Sequence, residues 1–267
     1  KPNYKKPSLI EILKIYGYVF KLNLQKQKRD YDLIDQDYNS GLWNKKFEEI
    51  DFESPQGNYS RTDSEDVVVM CYEGKMVKAK MQDFLMKHKS EFLEFFDEFD
   101  KMQTIVELGC GLGFNLFNLH RMGFKKLEGY DLSKNSIENL QKYVKMNDYD
   151  MYFDVCDLNK AFSKNMIKDK VVFTRGCLEQ CKHIMQNALK NICNGYPKLV
   201  INFEVDYDAS PYIVKKYLDR EVDDTALEST TEELIDGLNT LKREGNFDFE
   251  IRDIQNLDTI LKRADLV

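Results

Sequence analysis

The sequence predicts an α/β protein, a mostly parallel β-sheet with helices on both faces. Three observations carry that prediction. From Gln103 onward, short β-branched runs alternate with helical stretches of about 10–15 residues, the rhythm of βαβ units. A glycine-rich turn, "ELGCGLG" at 107–113, separates the first such run from the first helix. The 267 residues, 42% of them hydrophobic, suffice for one large core with a smaller appendage.

Taken in order, "PSLIEILKIYGYVFKLNLQKQKRDYDLI" repeats Ile10, Leu13, Tyr16, Phe20 and Leu24 at helical spacing and predicts one or two amphipathic helices. The Asn-, Ser-, Gly- and Asp-rich stretch from Asp35 to Val69 predicts an ordered surface loop holding the single tryptophan, Trp43. "MQDFLMKHKSEFLEFFDEF" returns to helical spacing. Then follow a strand in "QTIVEL", a helix in "NLFNLHRM", a strand in "KLEGYD" and a helix in "KNSIENLQKYVKMN". "MYFDVCD" and "KDKVVFT" read as strands, "EQCKHIMQNALKNIC" as a helix and "PKLVINFEV" as a strand. Residues 207–245 are polar with helical stretches, and "FDFEIRDIQ" reads as a last strand, the antiparallel edge of a mixed sheet. The expected organisation is an N-terminal helical cap and substrate-side segment over 1–100. A core domain over 101–267 follows, with a lid-like insertion at 207–245 before the last strands.

Charge and composition narrow the function. A net charge of −7 argues against a duplex nucleic-acid partner, which needs a basic footprint. No apolar run approaches the ~20 residues that span a bilayer, and the lysine-rich start lacks a signal-peptide core. The six cysteines (Cys71, Cys110, Cys156, Cys177, Cys181, Cys193) sit in apolar segments without a disulfide-like framework, so a cytoplasmic protein with free thiols is expected.

The glycine spacing discriminates between ligands. A dinucleotide fingerprint begun at Gly109 demands glycine at 114, where this chain has Phe114, and the third glycine is Gly113. The run Glu107-Leu108-Gly109-Cys110-Gly111-Leu112-Gly113 instead resembles the E/D-x-G-x-G-x-G signature of class I S-adenosylmethionine (SAM)-dependent methyltransferases. "GYDLS" places Asp131 after the second core strand, "VCDL" places Asp157 after the third, and "VVFTRGCLEQ" stands at the fourth, with Gln180 where that family has histidine.

The resemblance implies a Rossmann-like methyltransferase sheet and SAM as cofactor, leaving S-adenosylhomocysteine (SAH) as product. It implies a binding set of Glu107, Gly109, Cys110, Gly111, Asn115, Asp131, Leu132, Cys156, Asp157, Leu158 and Arg175. In that set Asp131 accepts from the ribose hydroxyls, at ~1.5–3 kcal/mol per bond to a charged acceptor. Leu132 lies under the adenine and Asp157 accepts from its amino group. Asp131 has a rival reading as a helix N-cap, a role Ser133 fills as well.

A sulfonium is already a good leaving group, so catalysis is mainly in-line positioning, with a base where the acceptor must lose a proton. Arg175, Glu179 and His183, after the fourth strand, are the catalytic candidates; Trp43, Tyr59, Arg61, Glu204, Tyr207 and Tyr212 are the substrate-binding ones. Metal is not expected: Cys177, Cys181 and His183 lack a fourth ligand and crowd one helix turn. Thr174-Arg175-Gly176 stands where catechol-type methyltransferases carry acidic magnesium ligands, and the Asn/Asp-Pro-Pro-aromatic motif of DNA amino-methyltransferases is absent.

"ELGCGLGFNLFNL", "GYDLSKNSI" and "FTRGCLEQ" are also similar to methyltransferases of bacterial capsule and surface-polysaccharide clusters, including those of O-methyl phosphoramidate assembly. That implies a small polar acceptor, a nucleotide- or lipid-linked sugar or a phosphoramidate oxygen, with Arg61 and Arg175 as anion partners. N-methylation of a small metabolite and a non-catalytic SAM-binding regulator are the alternatives.

Overall fold

A computed structural model describes residues 5–14, 67–72, 75–163, 165–178, 181, 184–203, 230–243, 247–253 and 258–263. A hairpin of β1 (Val67–Tyr72) and β2 (Lys75–Lys80) leads into α1 (Met81–Phe96). The core then alternates β3 (Thr104–Leu108), α2 (Phe114–Arg121), β4 (Lys126–Asp131), α3 (Lys134–Met146), β5 (Met151–Val155), β6 (Val171–Arg175), α4 (Met185–Asn194) and β7 (Leu199–Phe203). It closes with α5 (Thr230–Arg243), β8 (Phe247–Asp253) and β9 (Asp258–Arg263). Seven strands form one sheet in the order β5-β4-β3-β6-β7-β9-β8, parallel from β5 to β7. The chain order reverses at β3, so the topological switch point, where ligands of such sheets bind, lies beyond the carboxyl ends of β3 and its neighbours.

Phe247–Asp253 is, as expected, an antiparallel edge strand of a mixed sheet, but it is not the last strand: Asp258–Arg263 follows it in the chain and lies between it and β7, antiparallel to both. Paired antiparallel to β9 in turn, β8 runs in the same sense as β7. The end of the expected surface loop is also a strand: Val67–Tyr72 pairs residue for residue with Lys75–Lys80, because a polar partner strand lets its β-branched run form a ladder. Nearer the N-terminus, residues 9–14 are helical behind a capping box: Ser8 and Glu11 bond each other's backbone and side chains, and Glu11 also pairs with Lys78.

Strand alternation sorts the core onto two faces. Ile105, Leu127, Phe153, Val171, Phe173 and Ile201 pack with Leu116, Phe117, Ile137 and Leu140 on the face of α1, α2 and α3. Val106, Leu108, Val172 and Val200 pack with Met185, Leu189, Ile192 and Leu238 on the face of α4 and α5. The glycine at 129 lets α2 come close: a Cβ there would lie 2.6 Å from the Phe153 ring and 2.7 Å from Leu116.

α1 is fastened to the sheet by aromatic rings. Phe96 is fully buried, with ring centroids of Phe92, Phe173 and Phe124 at 5.1, 5.4 and 6.2 Å. The β3–α2 turn is held as closely. Gly109 has φ +74°, and a Cβ there would lie 2.2 Å from Cys177 Sγ and 2.6 Å from its Cβ.

Two outcomes follow for stability. Phe96→Ala is expected to cost about 3–5 kcal/mol in urea unfolding, since a fully enclosed ring leaves a cavity. Gly109→Ala is expected to cost at least ~1–2 kcal/mol for the left-handed backbone alone, and more for the collision. Adding Cys177→Gly should recover the collision part and leave the backbone part. A double-mutant cycle showing simple additivity would contradict this packing.

Candidate cofactor site

The same alternation that builds the core builds the site. Along β3, Ile105 and then Glu107 face α2; along β4, Leu127, Gly129 and Asp131 do; along β6, Val171, Phe173 and Arg175 do. The apolar column of each strand therefore ends in a charged residue at its carboxyl end. Register sets Glu107 opposite Gly129 and Phe173, one row below Asp131 and Arg175.

The glycine turn is fixed against β4. The N–H groups of Gly109 and Cys110 both donate to Tyr130 O, at 2.7 and 3.0 Å. The next residue with a free choice of φ, Gly111 at +52°, donates its N–H to Asp131 Oδ2 at 2.8 Å. Asp131 Oδ1 accepts from Ser133 N–H at 2.8 Å. Ser133 is the N-cap of α3, accepting from Ser136 N–H, while Ser136 Oγ donates to Gly111 O. Asp131 is thus a rim carboxylate held from two sides rather than a cap. Burial raises its pKa, opposed by the N–H bonds from Ser133, Gly111 and Leu132.

Glu107 is 1% exposed. Its Oε1 accepts from Asn115 Nδ2 at 2.6 Å; its Oε2 is buried without a hydrogen-bond partner among the described residues. Asn115 Oδ1 accepts from Arg175 Nη1 at 2.7 Å, and the guanidinium carbon lies 4.5 Å from the centre of the Phe92 ring. Burial pushes the Glu107 pKa up to about 8; Asn115 and Arg175 pull it down and Asp131 adds to the rise.

The other expected cofactor residues divide. Cys156 N–H donates to Asp131 O at 2.9 Å, which brings the start of the β5–β6 connection to the Asp131 rim. Asp157 stands next to it, but Oδ1 accepts from Asn159 N–H at 2.9 Å and Oδ2 pairs with Lys160 at 3.1 Å. Leu158 and Cys110 are core side chains, on opposite faces of the sheet. Burial drives the Cys110 thiol well above its usual range and, with Asp157, Asp154 and Asp131, pushes Cys156 up to about 12, so both are neutral thiols. Phe114 opens α2 packed against the core. Lys89 on α1 was missed from the sequence; burial lowers its pKa, and the charges of Arg121 and Arg175 lower it further. Its only sequence signal was its place three residues before Phe92 on one helix face. Trp43, Tyr59, Arg61, Glu179, His183, Glu204, Tyr207 and Tyr212 lie outside the described residues.

No helix among the described residues is long and apolar enough to cross a membrane. No curated protein matches the sequence. Among solved structures, the magnesium protoporphyrin IX methyltransferase ChlM from Synechocystis PCC 6803, with bound SAH, superposes with a TM-score of 0.52 at 14% identity, over 87% of this chain and 98% of that one. The methyltransferase domain of bacterial CtHen1 has a TM-score of 0.47 at 14% identity, over 66% of this chain and 96% of that one. At such identity the first likeness establishes the fold, a class I methyltransferase sheet with the strand order described above. The family model described as tellurite resistance protein TehB matches residues 76–215, from β2 through β7 and beyond. That span is more than half of the sequence and contains the glycine turn, Asp131 and Arg175, and on it the chain belongs to the TehB family.

Proposed function

We propose that the protein is a SAM-dependent methyltransferase acting on an oxygen of a small polar acceptor. The acceptor class is a sugar or a phosphate- or phosphoramidate-type oxygen, as in surface-polysaccharide assembly. The observation that carries the reading is Asp131. Its oxygens are oriented by backbone N–H groups, Gly111 on Oδ2 and Ser133 on Oδ1, and a carboxylate so held still has acceptor capacity for the hydroxyls of a vicinal diol. The rest of the rim fits the same ligand: Glu107 Oε2 is a buried acceptor matched to an ammonium, and Phe114 stands where a pyrophosphate-binding turn needs glycine. The similar Synechocystis enzyme was solved with SAH bound.

When bound, SAM supplies a methyl group on a sulfonium that needs no further activation. The protein's part is to grip and to orient. Asp131 and Glu107 hold the two ends of the cofactor, and the Gly109–Gly113 backbone lies between them. Arg175 and Lys89 give the acceptor side a positive potential, which suits an anionic oxygen that needs no base. The family name points the same way, since tellurite is itself a small oxyanion. β7 ends at Phe203, directly opposite Arg175. We assign the acceptor pocket to Glu204, Tyr207 and Tyr212, next in the chain, and to Trp43, Tyr59 and Arg61 of the 1–100 cap. Glu179 and His183 follow Arg175 and complete the proposed catalytic set. A cytoplasmic location belongs to the same reading, supported by free thiols at Cys110, Cys156, Cys177, Cys181 and Cys193.

Calorimetric titration tests the assignment. SAH is expected to bind and NAD not to bind. Asp131→Ala should weaken SAH by at least about 10-fold, the equivalent of one bond to a charged acceptor, with the circular dichroism spectrum unchanged. Unaltered affinity in a folded Asp131→Ala protein would remove the cofactor reading. With SAH binding established, radiolabelled methyl transfer to sugar phosphates and phosphoramidates decides the acceptor.

A further inference from the structure

We infer that filling the cofactor site is coupled to release of a proton from Glu107, and that Asn115 and Arg175 are positioning residues that confine this exchange to Oε2. The inference rests on the SAM reading above and adds a regulation to it.

The polarity argument starts at Arg175. A guanidinium has donors only, so the atom of Asn115 that meets Nη1 at 2.7 Å is the amide oxygen. The Asn115 NH2 group is then turned to Glu107 and donates to Oε1 at 2.6 Å. An oxygen that accepts this bond is a poor place for the carboxyl proton. Oε2 is left as its seat, and Oε2 is buried with no partner among the described residues. A carboxylate stranded there would bear the full penalty of an unsatisfied buried charge. A neutral carboxyl avoids it, and so does a carboxylate facing a cation.

The surroundings agree. Asn115 from α2, Arg175 from β6, Asp131 from β4 and Cys110 from the glycine turn are the polar and titratable groups around Glu107. Desolvation outweighs the two that favour charge, which places the free carboxyl at about 8. Near neutrality the ligand-free protein therefore keeps the proton on Oε2. An ammonium docking there favours the ionised form: the O–H bond breaks, the proton leaves to solvent, and the carboxylate accepts from the cation. Because the deprotonated form binds, affinity rises with pH below about 8, by up to about tenfold per unit, and flattens above it.

SAH binding measured by calorimetry between about pH 6 and 8, in two buffers of different ionisation enthalpy, reads the proton directly. The wild-type protein should release close to one proton per SAH at the acid end, with affinity climbing with pH. Glu107→Gln, isosteric and permanently neutral, should bind weakly with no release and no slope. Asn115→Ala removes a donor that lowers the Glu107 pKa, so the rising limb should move to higher pH. A merely structural loss would lower affinity without moving that limb. Circular dichroism establishes that each variant is folded. Wild-type binding with no proton released, or an undiminished slope in Glu107→Gln, which would assign the proton to Asp131, overturns the inference. SAH that fails to bind at every pH overturns the cofactor reading itself, and this inference with it.

Discussion

An ionisable group buried at the end of the central strand governs the layout of the rim. Glu107 is enclosed at 1% exposure, and a carboxyl in that position must be neutral or bonded on every side. One bond comes from Asn115, whose oxygen then requires a donor of its own, which Arg175 supplies. The guanidinium in turn rests on Phe92, the ring that also meets Phe96, Phe173 and Phe203. The chain Glu107–Asn115–Arg175–Phe92 thus ties β3, α2, β6 and α1 together at one corner. Among the described residues, its loose end is Oε2. A folded-state pKa of about 8 against an ordinary 4.5 means the folded protein binds more protons than the unfolded chain between those values. Stability contributed by the neutral carboxyl is present below about 4.5 and declines as pH rises toward 8. An unoccupied site works against the fold at neutral pH, and a cation at Oε2 relieves it.

Most of the fold, and the glycine turn with its acids, was legible in the sequence because the signals were local. The β-branched runs of β3, β6 and β7 and the helical period of α3 and α4 lie within single elements, and so do the glycine turn and the acid that closes "KLEGYD". What was not legible depends on pairing at a distance. "DTILKR" has too few apolar residues to announce a strand, and its place between β7 and β8 is set by its two partners. The polar "KMVKAK" becomes a strand only beside "VVVMCY". Nor does any sequence pattern pair Asn115 with Arg175, 60 positions apart.

The glycines show how one signal can have two causes. In the sequence, Gly109, Gly111 and Gly113 read alike, as room for a ligand. In the folded chain, the space beside Gly109 is taken by Cys177, and a Cβ at Gly113 would meet Leu140, Phe117 and Phe153 at 3.0–3.4 Å. At Gly109 packing alone requires glycine; at Gly113 the left-handed φ of +75° adds to the tight contacts. Gly111 differs, because its N–H reaches the rim carboxylate. The motif is therefore a constraint of the strand–turn–helix junction as much as of the ligand, and its link to chemistry runs through Asp131.

Asp131 ends β4 and Asp157 follows the neighbouring β5, and the structure gives the two acids different physical states. The partners of Asp131 are backbone N–H groups in the glycine turn and at the start of α3, which cannot swing away. Its orientation is set before any ligand arrives, and a hydroxyl can add to it without displacing a bond. Asp157 spends one oxygen on a turn N–H and the other on Lys160, whose side chain is 79% exposed. An ion pair with so exposed a lysine is worth about 0–1 kcal/mol and is screened by salt, so a ligand amino group can replace it at little cost. In the proposed cofactor site, Asp131 is therefore the preorganised grip and Asp157 the adjustable one. Such an arrangement would fix a ligand at the end of β4 and leave the end of β5 to adapt to it.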